Sequence, residues 1–448
     1  MRSSWLSHQY EKNPNSKILE LVVNNAHYYV LINPDLGSWV ALTEIEYDLY
    51  KRNAMNELQW EPLFLRGLAV DANDNMNNTE FDFPSPANYP SIVVVNITTK
   101  CNLRCAYCFA NCEPASGEDM NAAVMEQVIL QMLDMPENEI VTFEFQGGEA
   151  SLNTDGLRQF INIAESLKHK FNKEIRYRIE TNCVSLSDAF VNLVKEYDVK
   201  LGISLDGPRD MNDICRVNAS GDGSFDEIVR GIEKLRANGI EIDGAVCTIG
   251  QHNVKSPEEI LDFFNKIEIS FKPRPVNILG RELNNNFTTK PLEWADCFIK
   301  MHKKRANMSV ENFSIHIFEE NAYTPIRDYI CLRYPCGAAR ELISVNPDGE
   351  VYPCDGFKGE RAFSMGNILH EKVTDMLLKP PIAKLRSRTS QTIEKCKECI
   401  FRGMCCSCCY SAYGKFGDIY REDPHCADRK EIFSYLIHNW ILENENNT

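Results

Sequence analysis

The sequence has little positive charge and no long apolar run. Its 448 residues carry 48 Lys and Arg against 64 Asp and Glu, a formal net charge of −16. Binding a nucleic-acid backbone requires clustered Lys and Arg, so this balance argues against a nucleic-acid partner. The sequence contains no apolar run of the roughly 18 residues needed to span a membrane, and its first residues contain no apolar segment of signal-peptide length. We therefore expect a cytoplasmic protein with no membrane partner.

Cysteine, in contrast, is abundant and unevenly placed. Eighteen cysteines without an export signal predict metal or redox use rather than a disulfide framework. Ten of them follow residue 330, which predicts a separate cysteine-rich region. The length is sufficient for two or three domains, and the 44% hydrophobic content is that of an ordinary globular protein.

The strongest local signal is a loop with three cysteines, Cys101, Cys105 and Cys108, separated by three and two residues. It follows the apolar run at residues 92–95, which predicts a buried strand. Soft thiolates favour iron, and three of them on a four-iron cube leave one iron without a protein ligand, which is typical of a reactive centre. Zinc remains an alternative, because Cys112 is close enough in sequence to act as a fourth ligand.

The spacing CxxxCxxC, with Tyr107 before the last cysteine, resembles the signature of radical S-adenosylmethionine (SAM) enzymes. The resemblance implies that the fourth iron binds SAM. It also implies that the reduced cluster cleaves SAM to a 5′-deoxyadenosyl radical, which abstracts a hydrogen atom. It places Tyr107 among the cofactor-binding residues.

From residue 91 the pattern alternates between strand and helix, which predicts an α/β fold of βα units. Strands are predicted at residues 91–97, 140–145, 175–180, 199–205, 241–248 and 271–276. Helices are predicted between them at residues 122–134, 155–170, 187–197, 225–237 and 257–267. Six such strands fit a partial (βα)6 TIM-like barrel, as in the radical SAM fold, with the site at the carboxyl ends of the strands.

Three further motifs lie at those carboxyl ends. Gln146-Gly147-Gly148-Glu149 follows the second strand and resembles the motif that binds the SAM amino group. Glu180-Thr181-Asn182 follows the third strand and resembles the polar group beside the SAM methionyl moiety, although Cys183 stands where the family usually has glycine. Each of these stretches is also compatible with a simple turn.

Ser204, at the end of the fourth strand, and Arg216 fall in a stretch that resembles SLDGPxxxHDxxR of the sulfatase-maturase-like branch, with Asn212 in place of the histidine. By that resemblance Ser204 and Arg216 bind the SAM carboxylate, and a guanidinium suits this role because it pairs with a carboxylate at two points. We interpret Asp206-Gly207-Pro208 as a turn rather than as a ligand contact.

The late cysteines form a second motif. Cys336-x12-Gly349-x4-Cys354, then Cys396-x2-Cys399-x5-Cys405-x3-Cys409, and finally Cys426 resemble the seven-cysteine SPASM domain of peptide-maturing radical SAM enzymes. Cys331 stands where related members place an eighth ligand. The resemblance implies two auxiliary 4Fe–4S clusters, the first held by Cys331, Cys336, Cys354 and Cys409 and the second by Cys396, Cys399, Cys405 and Cys426.

Spacing alone leaves open the choice between Cys408 and Cys409 and the role of Asp355. Cys406 and Cys408 crowd the same loop, so choosing Cys409 over Cys408 depends on the x3 spacing alone. Asp355 directly follows Cys354, where sulfatase maturases have an aspartate proposed to take a proton from the substrate. A surface turn is the competing interpretation of Asp355. The remaining thiols are interpreted as ordinary buried side chains, namely Cys112, Cys183, Cys215, Cys247 and Cys297.

The residues ahead of the barrel predict a small α+β domain. Two strands at residues 18–23 and 27–32 flank the turn Asn24-Asn25, a third lies at 39–42, and helices are expected at 44–52 and 61–70. This layout resembles the peptide-binding domain of peptide-modifying systems; a plain extension that covers the barrel is the alternative. The predicted domains are residues 1–80, 91–305 and 325–435, with a linker over 71–90.

Together these features predict a radical SAM/SPASM enzyme that modifies a ribosomally made precursor peptide, with a thioether cross-link as the favoured product. The expected cofactors are three 4Fe–4S clusters and SAM, and the expected partners are the precursor peptide and a reductant such as flavodoxin or ferredoxin. A formylglycine-forming anaerobic sulfatase maturase is the first alternative, and an Fe–S electron carrier or sensor is the second.

Overall fold

The structure is a computed structural model that describes residues 10–71, 88–114, 116–305, 308–324, 331, 335–405 and 407–445. Most of the predicted linker, including Pro84 and Pro86, and the ends of the predicted N-terminal domain lie outside these residues. Within the described part of the chain, none of the helices combines the length and the apolar character needed to span a membrane.

The N-terminal unit contains a three-stranded antiparallel sheet. The chain forms β1 (Tyr10–Lys12), β2 (Lys17–Val23), β3 (Ala26–Asn33), β4 (Ser38–Thr43), α1 (Glu44–Lys51), α2 (Glu57–Phe64) and β5 (Ala69–Asp71). Asn24 and Asn25 have φ values of 47° and 67°, the left-handed conformation of a tight hairpin turn. Thr43 begins α1 with a capping box that includes Glu46.

The predicted position of the second helix in this unit is wrong. The sequence analysis expects it at residues 61–70, but α2 begins at Glu57 because Asn56 caps it and Gln59 completes a capping box. The chain then turns at Gly67, whose φ is 66°, and enters β5, which pairs with β1. Neither of these short strands carries an alternating apolar pattern that would have predicted it.

The barrel contains the six predicted parallel strands in sequence order. They are β6 (Ile92–Thr98), β7 (Ile140–Gly147), β8 (Glu174–Thr181), β9 (Lys200–Ser204), β10 (Gly244–Ile249) and β11 (Phe271–Pro275). The helices of this region are α3 (Ala122–Leu133), α4 (Thr154–Phe171), α5 (Asp188–Glu196), α6 (Arg209–Cys215), α7 (Phe225–Ala237), α8 (Pro257–Lys266), α9 (Glu293–Lys304) and α10 (Phe313–Tyr323). Every adjacent pair from β6 to β11 is parallel, so the predicted barrel order is confirmed.

The two faces of this sheet differ in chemistry. On β7 the side chains of Phe143 and Phe145 are fully buried and pack on Phe160 of α4. The alternate positions, such as Glu144 and Gln146, line a large cavity inside the barrel. The barrel interior is therefore an open space lined by both polar and apolar side chains, rather than the packed apolar core of a closed barrel.

The cysteine-rich region continues the barrel sheet. It contains β12 (Leu342–Val345), β13 (Glu350–Tyr352), β14 (Gly366–Asn367), α11 (Val373–Met376), α12 (Pro380–Arg386), α13 (Glu394–Lys397), α14 (Cys409–Phe416) and α15 (Cys426–Glu445). Strand β12 pairs in parallel with β6, and β13 and β14 follow in antiparallel order. The side chain of Asp355, just after β13, contacts Asn96 of β6 and Ser344 of β12.

The N-terminal unit packs on the cysteine-rich region. Arg402 donates from Nε to Asp35 at 2.9 Å, and a side chain at Gly403 would overlap the backbone of the β3–β4 turn. The indole of Trp39 donates to the carbonyl of Ala322 at 2.6 Å and lies edge-on to Trp440 of α15. The turn between β3 and β4 is thereby held beside the late cysteines.

Candidate active site

The first cysteine motif lies in the loop after β6, and its backbone is held from two sides. Arg104 donates its backbone N–H to the carbonyl of Val217 at 2.7 Å. The guanidinium of Arg281 donates to the carbonyl of Cys105 at 2.8 Å. All three thiols of the motif face the large cavity. The loop is thus fixed before any ligand binds, which is what a cluster site requires.

Burial opposes ionisation of the thiols of Cys101 and Cys105 unless a nearby positive charge compensates for it. Burial raises the pKa of Cys101 to about 12 and that of Cys105 to about 11. Metal ligation needs thiolates, so a bound iron cluster supplies the positive charge that makes the ionised form favourable here. The donor set therefore fits an iron–sulfur cluster held by Cys101, Cys105 and Cys108.

Cys112 is not the ordinary buried thiol that the sequence analysis expects. Its side chain is partly exposed, lines the same cavity and contacts the thiol of Cys108. That contact lowers the pKa of Cys108 to about 5. Cys183, Cys215, Cys247 and Cys297 are buried as expected.

The two glycines after β7 pack directly on the cysteine loop. A Cβ at Gly147, whose φ is 140°, would overlap the carbonyl of Thr98, and one at Gly148 would overlap that of Lys100. Gly148 donates its N–H to Thr98 at 2.9 Å. Both glycines line the cavity, where the resemblance places the SAM amino group.

Glu149 is buried and its carboxylate is occupied by protein donors. Its oxygens accept from the hydroxyl of Thr181 at 2.6 Å, the backbone N–H of Asn182 at 2.6 Å and the backbone N–H of Ser151 at 3.1 Å. Glu149 therefore holds the end of β8 against the end of β7. Its predicted contact with SAM would have to compete with these three bonds.

Asn182 connects the third strand to the cluster loop. Its side-chain amide donates to Asn102 at 2.7 Å and lies 3.9 Å from the sulfur of Cys101. Cys183, in the position where the family usually has glycine, has a φ of 62°. This left-handed conformation explains why glycine suits the position.

Arg216 is buried against Asp206. Its guanidinium lies 3.1 Å from the Asp206 carboxylate, and the ring of Tyr107 lies beneath it at 5.6 Å. Tyr107 also donates its hydroxyl to Asp206, and His252 lies 3.7 Å from the same carboxylate. Burial opposes ionisation of Asp206, but Arg216, His252 and Tyr107 together outweigh it and lower the pKa of Asp206 to about 2. The Nε of Arg216 is buried and has no hydrogen-bond partner among the described residues, which leaves a donor for a ligand carboxylate.

Asp206 is the site residue that the sequence analysis missed. Its motif looks like a turn, and the backbone does turn at Gly207, with a φ of 114°. Only the fold brings Arg216, Tyr107 and His252 around the Asp206 side chain. Ser204 lines the cavity on the same strand, so the predicted SAM residues converge on one space.

The first auxiliary set faces the same cavity. The residues that line this cavity include Cys331, Cys336, Cys354, Cys408 and Cys409. Cys409 begins α14 and contacts the thiol of Cys336. Burial, together with the neighbouring thiolates of Cys336, Cys408 and Cys331, raises the pKa of Cys354. Both Cys408 and Cys409 therefore remain candidates for the fourth ligand.

The second auxiliary set surrounds a separate, smaller cavity, which is lined by Cys396, Cys399, Cys405 and Cys426. Basic side chains also line it, namely Arg388, Lys395, Arg402, Arg429 and Lys430. Four thiolates around an iron–sulfur core carry net negative charge, so this lining suits a fully ligated cluster.

Neither disulfides nor single-metal sites account for these cysteines. No disulfide joins the cysteines that the structure describes. Across the same described ranges, no three His, Cys, Asp or Glu side chains are close enough to share one metal ion. Thiolates of a 4Fe–4S cluster each bind a different iron, so they surround a volume rather than a point.

Asp355 lies in the large cavity but is paired. Lys358 Nζ is 3.0 Å from its carboxylate, and the side chains of Asn96 and Ser344 each donate to the same oxygen at 3.3 Å. The ammonium of Lys358 also donates to the carbonyl of Gly147 at 3.4 Å. Lys358 thus contacts both Asp355, the predicted proton acceptor, and the glycine motif after β7.

Two family models match the chain. The radical SAM superfamily matches residues 95–265, and the SPASM iron–sulfur cluster-binding domain matches residues 336–400. The chain belongs to the radical SAM superfamily. This radical SAM enzyme therefore uses SAM and 4Fe–4S clusters, with auxiliary clusters in its SPASM domain, and the electron-carrier alternative is wrong.

Curated relatives cover most of the radical SAM enzyme. The serine-type anaerobic sulfatase-maturating enzyme of Bacteroides thetaiotaomicron is 25% identical over 70% of this chain and 81% of its own length. The subtilosin biosynthesis protein AlbA of Bacillus subtilis is 27% identical over 79% of this chain and 74% of its own length. The enzyme is therefore of the peptide and sulfatase maturase type.

Solved structures confirm the fold. Native anSMEcpe with bound AdoMet has a TM-score of 0.68 at 20% identity and covers 80% of this chain and 99% of its own. Streptococcus suis SuiB bound to precursor peptide SuiA has a TM-score of 0.55 at 17% identity and covers 93% of this chain and 99% of its own. The predicted barrel and SPASM arrangement is thus that of known radical SAM proteins.

Proposed function

We propose that this radical SAM enzyme modifies a ribosomally made precursor peptide and forms a thioether between a cysteine sulfur and a carbon. The observation that carries the proposal is the N-terminal sheet held beside the SPASM domain. Within the described residues, β4 is an edge strand whose outer side pairs with no other strand. An extended leader segment added to this edge through main-chain hydrogen bonds would hold the reactive segment near the barrel by effective concentration.

The residues of the barrel support a SAM site next to the first cysteine motif. Cys101, Cys105 and Cys108 would hold the cluster, and Ser204 and Arg216 would hold the SAM carboxylate. When bound, cluster and SAM supply hydrogen-atom abstraction from an unreactive C–H bond. Asp206 keeps the guanidinium of Arg216 oriented through its 3.1 Å ion pair.

The two auxiliary sets differ in their relation to the substrate space. The first set opens into the same cavity as the SAM residues, so a cluster there would lie within reach of substrate. The second set lies in its own cavity beside the N-terminal unit. We infer that a cluster in the second cavity carries electrons from a reductant such as flavodoxin or ferredoxin, in a cytoplasmic location.

A formylglycine-forming sulfatase maturase is the second candidate. It is favoured by Asp355, which follows Cys354 and lies in the cavity, as the sulfatase-maturase resemblance implies. The contacts of the Asp355 carboxylate with Lys358, Asn96 and Ser344 weaken this support, because these groups already occupy the oxygen that would meet the substrate.

Mass spectrometry of a cysteine-containing candidate peptide separates these functions. The reconstituted enzyme is incubated anaerobically with SAM, dithionite and the peptide. A thioether product has lost two hydrogen atoms, resists thiol alkylation and does not react with hydrazides. Formylglycine has lost its sulfur and reacts with hydrazides, so this product would replace the proposal with the second candidate.

A further inference from the structure

A cluster of charged side chains lies inside the barrel. Glu144 on β7, Glu180 on β8, and Lys272 and Arg274 on β11 all line the large cavity. Charged groups are rarely placed in a protein interior without a role, because removing them from water costs free energy. Glu144, Lys272 and Arg274 belong to no SAM or cluster motif. Glu180 is the first residue of the Glu180-Thr181-Asn182 stretch, in which only Thr181 and Asn182 are predicted to bind SAM.

Glu180 stands out in this cluster by its surroundings. Its Oε2 is buried and has no hydrogen-bond partner among the described residues. Its other oxygen lies directly over Gly202 of β9, where any side chain would overlap it. Glycine is unfavourable inside a strand, so its presence at residue 202 indicates that the space above it is kept for the carboxyl of Glu180.

The position of Glu180 is that of a group that meets the substrate. It directly precedes Thr181 and Asn182, and Gly202 lies two residues before Ser204 on the neighbouring strand, so the carboxyl adjoins the predicted SAM residues. Asp355, another carboxylate that lines the cavity, already has Lys358, Asn96 and Ser344 as partners. An unsatisfied buried oxygen indicates a site that a ligand completes.

We propose that Glu180 accepts the proton of the substrate cysteine thiol. This inference rests on a peptide substrate that reacts through a thiol, as both candidate functions can. The S–H bond breaks, its electron pair stays on sulfur, and the proton forms an O–H bond with the Glu180 carboxylate. No oxidant or reductant takes part in this step. The resulting thiolate is the more reactive form of the sulfur.

The electrostatics of the cavity match this role. Burial and the charge of Glu144 raise the pKa of Glu180 to about 8, although Lys272, Arg178 and Arg274 act in the opposite direction. A free cysteine thiol has a pKa of about 8.5, so the proton moves between groups of similar affinity. A proton acceptor works best when its pKa lies near the working pH.

The test compares Glu180→Gln with the wild-type holoenzyme on a cysteine-containing peptide across pH. Iron content and SAM affinity should stay unchanged in the variant, while the modification rate falls about 100-fold or more. The wild-type rate should rise with pH through about 8, because the ionised carboxylate is the acceptor. In Glu180→Gln this rise should be replaced by one at about pH 8.5 or above, where the thiol ionises without a protein acceptor. A wild-type rate and pH profile in the variant would overturn the proposal.

Glu144→Gln is the matched variant in the same cavity. Because the charge of Glu144 raises the pKa of Glu180, its removal should move the rise in rate to lower pH without abolishing it. A purely structural role of Glu180 predicts no such shift. An unshifted profile in Glu144→Gln would count against the proposal. The wild-type product, thioether or formylglycine, decides the proposed function separately from these comparisons.

Discussion

The guanidinium of Arg216 lies 3.1 Å from the carboxylate of Asp206, and the two side chains are 7% and 0% exposed. These residues are ten positions apart in the sequence, and the turn after β9 and helix α6 bring them together. A buried arginine with such a partner has a fixed orientation, so it can present its remaining donors to a ligand without further ordering.

Arg216→Lys should weaken SAM binding while the protein stays folded. Lysine keeps the charge beside Asp206 but lacks the fork that binds a carboxylate at two points. The lost charge-assisted bond corresponds to about 1.5–3 kcal/mol, or roughly 10- to 150-fold in affinity. Equilibrium binding of SAM measures the effect, with iron content as the control. Unchanged affinity would show that Arg216 does not contact SAM. Arg216→Ala is less informative, because it leaves Asp206 buried without its partner.

Replacing Cys101, Cys105 and Cys108 together by Ala should remove one cluster and abolish SAM cleavage. The variant should lose roughly four of about twelve irons, because three thiolates hold one cube. Iron analysis and release of 5′-deoxyadenosine provide the measurements. Cys112→Ala is the matched control and should keep all the iron, since Cys112 is not needed as a ligand. Continued SAM cleavage in the triple variant would contradict the assignment of the site.

Cys409→Ala should lose iron from an auxiliary cluster, whereas Cys408→Ala should not. Cys409 has the x3 spacing of the SPASM pattern, and its thiol contacts that of Cys336. Iron content and the electron paramagnetic resonance of the reduced proteins report the loss. The reverse result would assign Cys408 as the ligand. Equal losses in both variants would mean that the spacing does not distinguish them.

Addition of the precursor peptide should slow amide exchange on β4 but not on β2. The two strands are the opposite edges of one sheet, so β2 (Lys17–Val23) is an internal control for β4 (Ser38–Thr43). Hydrogen–deuterium exchange measures both in the full-length enzyme. Deleting the whole unit is a poorer test, because Val23, Val30 and Ile32 belong to the hydrophobic core of the barrel. Equal protection of both edges, or of neither, would contradict leader binding at β4.

Glu180→Gln should stabilise the fold, and increasingly so as pH rises. Burial raises the folded-state pKa of Glu180 to about 8, whereas the unfolded value is about 4.3. The folded state therefore binds the proton more tightly, and wild-type stability falls between these two values by up to about 1.4 kcal/mol per pH unit. Denaturant midpoints of both proteins at about pH 5 and about pH 8 should differ more at the higher pH. A constant difference would show that Glu180 does not titrate in this range.

The local signals in the sequence were sufficient for the barrel and the cofactors. Alternating apolar positions predict strands such as β6 and β7, because side chains on a strand point to opposite faces. The cysteine spacings predict clusters because ligands in one short loop must converge. These features depend on residues close together in the chain, so the sequence determines them directly.

Only the tertiary structure decided which distant groups meet. The sequence predicts Asp206 only as part of a turn. In the fold, its side chain contacts Arg216, Tyr107 and His252. The sequence predicts Asp355 as a proton acceptor, yet Asp355 is paired with Lys358. Glu180, which also lines the cavity, has a carboxyl oxygen without a hydrogen-bond partner among the described residues. The pairing of β12 with β6 likewise joins strands almost 250 residues apart. Burial and partner distances depend on packing between elements, and no local pattern in the chain encodes them.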